Sequence, residues 1–259
     1  MSTALVQLRV DPEEPATSRR ERASSLVRAQ QGADLVVLPE LWPVGAFAFQ
    51  EFETAAEPAE DGPTARAMSA AARDAGVWLH AGSVVERAPD GALFNTSLVF
   101  APDGALAATY RKIHRFGFDR GEATLMSAGT TPVTVPHPAA PLGLATCYDL
   151  RFPELFRALT DAGAHLLVVP AGWPEKRAAH WTLLARARAV ENQCYVLACG
   201  TAGTHAGVPQ AGRSLIADPW GEILAEAPDA EERVLTAELD LTLVSEVRET
   251  FPALKDRVL

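Results

Sequence analysis

Three residues in this 259-residue chain combine a reactive side chain with a place just after a predicted β-strand. They are Glu40, Lys112 and Cys147. A carboxylate can take up and return a proton, an ammonium group can stabilise a developing oxyanion, and a thiolate can attack a carbonyl carbon. Such a set is sufficient for acyl transfer through a thioester. Because strand ends at one edge of a sheet converge in space, we expect these side chains to meet despite their wide separation in sequence.

Glu40 and Lys112 each also have an ordinary structural explanation. Glu40 lies among apolar residues between Pro39 and Pro43, where burial would raise the pKa of its carboxyl group towards neutrality and suit a general base. The alternative is a strand-end carboxylate that reaches water. Lys112 lies in the basic run 110–116, which is usually a surface feature, so it can act in chemistry only if it turns inward beside a carboxylate.

Cys147 stands where an apolar strand gives way to a helix that has Pro153 near its first turn. Free backbone N–H groups and a helix N-terminus both lower the pKa of a thiol, so we expect Cys147 to favour the thiolate. The alternative is a buried structural cysteine. That is our expectation for Cys194 and Cys199, which are five residues apart and form no Cys-x-x-Cys motif.

Composition limits the partners of the chain. Its 23 Lys and Arg against 33 Asp and Glu give a net charge of -10, so no nucleic-acid partner is expected, because phosphate contacts need cations. Three cysteines are too few for a disulfide framework and favour a reducing compartment. The start of the chain lacks the pattern of a signal peptide, and the longest apolar stretch, 35–49, is too interrupted to span a membrane. We therefore expect a cytoplasmic protein with no membrane partner.

The sequence lacks the motifs of several common classes of enzyme. It has no Gly-x-Gly-x-x-Gly after a strand and no Walker-type loop, so nucleotide binding has no support. The six histidines are scattered and form no His-Glu-x-x-His pair, so the sequence does not support a zinc site. The segment closest to a serine nucleophile elbow, 212–216, lacks the second glycine, which makes a serine hydrolase a poor fit.

The elements that must position these residues alternate between strands and helices. Short apolar runs predict strands over 5–10, 35–38, 78–85, 94–100, 107–110, 142–146, 166–169, 195–199, 214–217, 223–226 and 234–239. Helices are predicted after a capping box at 18–21, over 64–75, near Pro153 and over 177–193. The acidic run 50–62 predicts a solvated surface loop. Hairpins mixed with β-α-β units indicate one mixed sheet or two, with helices outside.

Further motifs follow in a characteristic order, namely Gly172-Trp173-Pro174, the helical segment 180–193 and the turn segment 212–221. Together with the three sites above, they make the chain similar to the nitrilase superfamily, the carbon–nitrogen hydrolases, over almost its whole length. The resemblance implies an α/β fold, a four-layer α-β-β-α sandwich, in one domain over residues 1–259. It also implies no cofactor and no metal, and homodimers or higher homo-oligomers in which the C-terminal tail 246–259 helps the association.

The resemblance also implies a role for each matching residue. Cys147 would be the nucleophile, and Glu40 would be the base that takes its proton and later activates the deacylating water. Lys112 would stabilise the tetrahedral oxyanion together with the backbone N–H of Tyr148. Glu122 matches the second glutamate of the family, which helps to place the substrate amide, although an exposed loop acid is the alternative for this position. Trp173, in the Gly-Trp-Pro motif, would contact the substrate.

The residues after Cys147 indicate a branch of the superfamily. The run Tyr-Asp-Leu-Arg-Phe-Pro-Glu at 148–154 resembles omega-amidases and deaminated-glutathione amidases, whereas true nitrilases carry Trp and Glu there and usually run longer. We therefore predict hydrolysis of a small amide that also carries a carboxylate, with release of ammonia or an amine. Arg151 or Arg177 is our candidate to bind that carboxylate, and helix capping or an ion pair with Asp149 is the alternative for Arg151.

Two other functions remain as alternatives at this point. An N-carbamoyl amino acid hydrolase would use the same three residues with a different pocket. A catalytically idle family member could act as a binding module, but the presence of Glu40, Lys112 and Cys147 together argues against idleness.

Overall fold

Two six-stranded β-sheets form the centre of the protein, for which a computed structural model describes residues 1–117 and 119–258. The strands are β1 (Ser2–Gln7), β2 (Arg9–Val10), β3 (Leu35–Val37), β4 (Trp78–Arg87), β5 (Leu93–Phe100), β6 (Leu106–Arg111), β7 (Val133–Val135), β8 (Leu142–Leu144), β9 (Leu166–Ala171), β10 (Tyr195–Gly200), β11 (Ala202–His205), β12 (Val208–Pro209), β13 (Leu215–Ala217), β14 (Ile223–Glu226) and β15 (Arg233–Glu238). The helices are α1 (Ala16–Arg28), α2 (Phe52–Ala55), α3 (Pro63–Ala75), α4 (Glu122–Leu125), α5 (Pro153–Asp161), α6 (Ala178–Asn192) and α7 (Thr242–Thr250).

Strand order relates the two sheets to each other. The first sheet has the order β15-β1-β3-β4-β5-β6 and the second the order β14-β13-β10-β9-β8-β7. In each sheet the central strands pair in parallel and the outer strands pair antiparallel. A small third sheet, β12-β11-β2, joins the beginning of the chain to the segment after β10. Both large sheets are therefore mixed, as the combination of hairpins and β-α-β units predicts.

The side chains of β3 show how the layers stack. Leu35 and Val37 belong to the core cluster that also contains β9 and β10, whereas Val36 belongs to the cluster beneath α1 and α3. Successive side chains of a strand point to opposite faces, so one face of this sheet meets the second sheet and the other meets helices. On the far side, α5 and α6 pack against the second sheet. The predicted α-β-β-α sandwich is confirmed.

The start of α1 differs from its prediction. The helix begins at Ala16 after Pro15, with no side-chain cap, so Ser18 lies inside the first turn and the predicted box with Glu21 is wrong. Proline fixes its own φ near the value that a helix entry accepts, so it can begin this helix without a hydroxyl cap. A true capping box occurs instead between Thr146 and Asp149, in the short 3₁₀ helix Cys147–Arg151.

The acidic run 50–62 is only partly the solvated loop that its charge predicts. It contains α2, and Glu57 is buried. The Glu57 carboxylate accepts a hydrogen bond from the backbone N–H of Thr64 at 2.8 Å, in the first turn of α3, where a negative charge is stabilised by the helix dipole. The Glu57 backbone also bonds to Val85 and Arg87 of β4. The acid is thus a structural cap, which charge counting alone cannot distinguish from a surface residue.

Most other elements follow the predictions to within a few residues. The strand predicted over 5–10 divides into β1 and β2, and the strand predicted over 142–146 ends at Leu144. Strands β7, β11 and β12 were not predicted, because they are only two to four residues long. The helices α2, α4 and α7 were not predicted either. No helix in the described ranges is long and apolar enough to cross a membrane.

Candidate active site

One pocket contains every residue that the sequence analysis assigned to the site. It encloses about 410 Å³ of empty space, its open mouth included. The predicted residues that line it are Glu40, Lys112, Glu122, Cys147, Tyr148, Arg151, Trp173 and Arg177. Aromatic and apolar side chains complete the wall, namely Leu41, Ala46, Phe47, Phe49, Phe116 and Pro174. The strand ends thus converge as predicted.

Glu40 follows β3 and is buried at the inner end of the pocket, with 2% of its surface exposed. Its Oε1 accepts hydrogen bonds at 2.8 Å from Lys112 Nζ and from Asn95 Nδ2. Its Oε2 accepts one at 2.8 Å from the backbone N–H of Gly172, at the end of β9. Glu40 is held from three directions, so the alternative of a solvated strand-end acid is wrong.

Two glycines allow this close packing around Glu40. A Cβ on Gly82, which has a φ of 68°, would lie 1.9 Å from the carbonyl oxygen of Pro39. A Cβ on Gly172 would lie 2.3 Å from the Cβ of Ala46. Because neither position has room for a Cβ, β4 can approach Pro39 closely and the residue after β9 can approach Ala46 closely.

Lys112 turns inward and is 1% exposed, so the surface alternative for it is wrong. Its Nζ lies 2.8 Å from Glu40 Oε1 and 2.7 Å from Glu122 Oε2. Burial favours the neutral amine, but the two carboxylates outweigh it and hold the pKa of Lys112 well above its ordinary value. Lys112 therefore provides a fixed positive charge in the pocket.

Glu122 begins α4 and is buried, which excludes the exposed loop acid considered above. It accepts hydrogen bonds from Lys112, from Asn95 Nδ2 at 2.9 Å and from the backbone N–H of Phe116 at 2.8 Å. Burial raises the pKa of Glu122, and the nearby Glu40 carboxylate raises it further, against the opposing effect of Lys112. Two carboxylates therefore share one ammonium group.

Asn95 is the residue that sequence reasoning missed. It lies in β5, and its side-chain amide bridges Glu40 and Glu122. A buried amide that donates to two carboxylates fixes their separation as well as their orientation. The only sequence signal is a polar residue in the apolar strand Leu93–Phe100, where Thr96 and Ser97 follow it, so nothing in the pattern singles it out.

Cys147 lies at the end of the turn after β8, with its backbone at a φ of 48°. Its Sγ is 3.8 Å from the carbonyl oxygen of Gly172, and the residue is 7% exposed. Burial and the neighbouring Glu40 carboxylate raise the pKa of the thiol well above its ordinary value, against the effect of Lys112. The predicted low pKa is wrong, because the argument from turn amides omitted both burial and the carboxylates. The thiol rests protonated beside a carboxylate that can take its proton.

The mouth of the pocket is aromatic and cationic. The Arg151 guanidinium lies 4.8 Å from the ring centre of Trp173 and 6.0 Å from that of Tyr148, and Arg177 lies 5.3 Å from the ring of Phe116. Both oxygens of Asp149 bind other groups, so the ion-pair alternative for Arg151 is wrong.

Cys194 and Cys199 lie in the hydrophobic core, as predicted. Burial raises the pKa of both thiols. Across residues 1–117 and 119–258, the acids, histidines and cysteines form no group of three or more that is placed to hold a metal ion.

Comparisons with known proteins identify the family of the chain. The family model for the carbon-nitrogen hydrolases matches residues 2–249. The chain is 44% identical to a 2-oxoglutaramate amidase of Paenarthrobacter nicotinovorans, over 99% of this chain and 89% of that protein. It is 38% identical to omega-amidase NIT2 of Mus musculus, over 98% of this chain and 94% of that protein.

Solved structures are similar over the same length. Nit3 of Saccharomyces cerevisiae, a member of branch 10 of the nitrilase superfamily, superposes with a TM-score of 0.90 at 31% identity, over 100% of this chain and 97% of that one. An amidase mutant from Nesterenkonia sp. AN1, with an acetamide moiety added covalently at its active-site cysteine, superposes with a TM-score of 0.82 at 25% identity, over 99% and 97%. The chain belongs to the carbon-nitrogen hydrolase family, in the nitrilase superfamily, and is an amidase.

Proposed function

We propose that the protein hydrolyses the terminal amide of a small carboxylate through a thioester on Cys147 and releases ammonia. The observation that carries this proposal is the division of one pocket into two ends. The buried end joins a thiol to two carboxylates and one ammonium group, and the mouth carries two guanidinium groups. The first end suits acyl transfer, and the second suits recognition of a carboxylate.

Acylation begins at the protonated thiol. Cys147 Sγ attacks the amide carbon while its proton passes to Glu40, so the thiolate need not exist before substrate binds. The carbonyl π electrons move to oxygen, and the oxyanion is stabilised by the Lys112 ammonium and the backbone N–H of Tyr148. When the tetrahedral intermediate collapses, Glu40 returns the proton to the nitrogen and the C–N bond breaks. Ammonia leaves and a thioester remains.

Deacylation uses the same groups in the same order. A water molecule attacks the thioester carbon while Glu40 takes one of its protons. Lys112 stabilises the second oxyanion, the C–S bond breaks, and Glu40 gives the proton to the departing sulfur. The products are a carboxylic acid and the original thiol, so one amide and one water are consumed in each turnover. Glu122 supports both steps by holding the Lys112 ammonium and by accepting a hydrogen bond from the amide nitrogen of the substrate.

Arg151 and Arg177 give the substrate its second recognition point. Both are half-buried at the mouth, each beside an aromatic ring. Guanidinium groups bind carboxylates with paired hydrogen bonds, and such charge-assisted bonds contribute about 1.5–3 kcal/mol each. Tyr148 and Trp173 then provide the walls between this anchor and Cys147. The names of the relatives, a 2-oxoglutaramate amidase and an omega-amidase, support a dicarboxylate monoamide as the substrate.

A panel of amides tests this assignment, with release of ammonia followed for the primary amides and release of the amine product followed for deaminated glutathione. We expect 2-oxoglutaramate to give the highest kcat/KM, deaminated glutathione and propionamide to give lower values, and Cys147→Ala to abolish turnover while Cys194→Ala retains it. Faster hydrolysis of an N-carbamoyl amino acid would replace the proposal with the carbamoyl hydrolase alternative. A folded protein that releases neither ammonia nor an amine from any member would favour a binding module.

The exposed face of α6 supports a homodimer or higher homo-oligomer. Leu183 and Val190 are exposed on this helix, and Trp220 and Phe251 continue the apolar surface, with ring centres 6.2 Å apart. Phe251 belongs to the tail 246–259, which we place in the contact.

Light scattering should give about twice the chain mass of 27.6 kDa for the wild type and the monomer mass for Leu183→Glu. The same change at the exposed Leu125 of α4 should keep the dimer, and a monomeric wild type would refute the assignment.

We also assign this enzyme to the cytoplasm. All three cysteines are free thiols, which suits a reducing compartment. Fractionation of the source cells, with activity found outside the soluble cytoplasmic fraction, would contradict this placement.

A further inference from the structure

Asp149 binds two separate segments of the chain, and both of them lead into the active site. It is fully buried in the 3₁₀ helix that begins at Cys147. Its Oδ2 accepts hydrogen bonds from the Tyr110 hydroxyl at 2.7 Å and from the backbone N–H of Thr146 at 2.9 Å. Its Oδ1 accepts one from the backbone N–H of His114 at 2.9 Å and lies 2.7 Å from the His114 ring nitrogen Nδ1.

The hydrogen-bond partners of Asp149 lie next to Lys112 and Cys147 in the sequence. Tyr110 lies two residues before Lys112, and His114 lies two residues after it. Thr146 immediately precedes Cys147. One carboxylate therefore holds the chain on both sides of Lys112 and also the residue before Cys147. Lys112 itself has no hydrogen bond to Asp149, so any effect on it must pass through the backbone.

All four groups around Asp149 can donate a hydrogen bond to its carboxyl oxygens, and two of them are backbone N–H groups, which can only donate. The His114 ring is held flat against Phe152, with ring centres 3.8 Å apart at an angle of 6°. Thr146 is fixed further by Ser97, whose hydroxyl lies 3.1 Å from its own. Four hydrogen-bonding partners around one buried side chain make a rigid junction.

We propose that Asp149 is a positioning residue that sets the place of Lys112 relative to Cys147, by binding the segment 110–114 and the turn that carries the thiol. The inference rests on the proposed function, in which these two side chains act on the same carbonyl group. Their relative placement then decides how well the oxyanion meets Lys112 while sulfur attacks. A misplacement of about 1 Å can cost about 100-fold in rate.

Two variants test the proposal, with a matched control. Asp149→Asn keeps the shape but turns an N–H₂ group towards at least one N–H donor. Tyr110→Phe leaves the ring but removes the hydroxyl that donates to Asp149 and that accepts a hydrogen bond from the backbone N–H of Ile113 at 3.3 Å. Asp218→Asn is the control, because Asp218 is also a buried carboxylate that accepts two backbone N–H bonds, at 2.9 Å each, in a turn beyond β13. Both bonds reach Asp218 Oδ1, which asparagine keeps, so the control replaces a buried carboxyl group without removing an acceptor.

Two readouts separate positioning from folding. The first is the rate constant for alkylation of Cys147 by iodoacetamide, mapped by peptide mass spectrometry, which needs no knowledge of the natural substrate. The second readout is kcat, calculated per molecule of enzyme whose Cys147 can be alkylated, together with KM. We expect Asp149→Asn to lower both the alkylation rate and kcat about 10- to 100-fold, with KM within about twofold of the wild type. Tyr110→Phe should lower the alkylation rate and kcat about threefold or more. Asp218→Asn should change neither the alkylation rate nor kcat.

The outcomes distinguish the two proposals. If Asp149→Asn folds and keeps the wild-type alkylation rate and kcat, the positioning role is overturned. If Asp149→Asn does not fold, a wild-type alkylation rate and kcat in Tyr110→Phe overturn it. If the wild type hydrolyses no amide but alkylation still falls in both variants, the proposed substrate class fails and the positioning role stands.

Discussion

The two ends of the pocket differ in how firmly their side chains are held. At the buried end, Glu40, Lys112 and Glu122 are almost fully buried and joined by hydrogen bonds of 2.7–2.9 Å. At the mouth, Arg151 and Arg177 are half-buried and contact aromatic rings at 4.8–6.0 Å. Preorganised groups serve the bond-making steps, whereas loosely held cations suit recognition of the distal part of a substrate. Changes at the buried end should therefore alter kcat, and changes at the mouth should alter KM.

The largest effect should follow Glu40→Gln, which keeps the volume and shape of the side chain. Glutamine cannot take the thiol proton, and its N–H₂ group would face either Lys112 or the Gly172 N–H. We expect kcat to fall about 1000-fold or more, with KM within about threefold, in steady-state ammonia release. Glu57→Gln is the matched control, because Glu57 is a buried acid that caps α3 away from the pocket. A Glu40→Gln enzyme with more than about a tenth of wild-type kcat would show that another base operates.

A smaller and different effect should follow removal of the guanidinium groups. Arg151→Ala and Arg177→Ala should each raise KM for 2-oxoglutaramate about 10-fold or more, since each removes a charge-assisted hydrogen bond to the substrate carboxylate. Neither should change kcat/KM for the uncharged propionamide by more than about twofold. Equal losses on the charged and the uncharged amide would indicate that these residues shape the pocket and do not recognise charge.

The smallest expected signal concerns the resting state of Cys147. Because burial and Glu40 raise the pKa of this thiol, the free enzyme should show no thiolate absorbance that titrates between about pH 6 and pH 9. The ultraviolet difference between the wild type and Cys147→Ser should be flat over this range. A step in that difference would mean that the thiolate forms before substrate binds, and Glu40 would not be needed as the acylating base.

Residues that follow a strand could be predicted from the sequence, whereas residues whose role depends on the register of the sheets could not. Glu40, Lys112 and Cys147 were found because each follows an apolar strand, and the rule that strand ends converge does not require the register of the sheets. Asn95 was missed because it lies within β5, where only the register shows that its amide faces two carboxylates. Likewise, the junction at Asp149 appears only when segments 110–114 and 146–149 are seen together.

The errors in the predictions share one physical origin. The low pKa expected for Cys147 came from its local turn, and the solvated loop expected at 50–62 came from local charge. In both cases burial and a distant partner decided the result, the Glu40 carboxylate for Cys147 and the first turn of α3 for Glu57. Sequence patterns report neighbours along the chain, whereas desolvation and charge depend on neighbours in space.

The central claim is that the buried end of the pocket forms a thioester between the substrate acyl group and Cys147. Intact-mass spectrometry of the enzyme, quenched in acid during turnover of 2-oxoglutaramate, tests it most directly. We predict a mass increase equal to the substrate minus ammonia, located on the peptide that contains Cys147 and absent in Cys147→Ser. An acyl group on any other residue, or full turnover by Cys147→Ala with no adduct, would contradict the account.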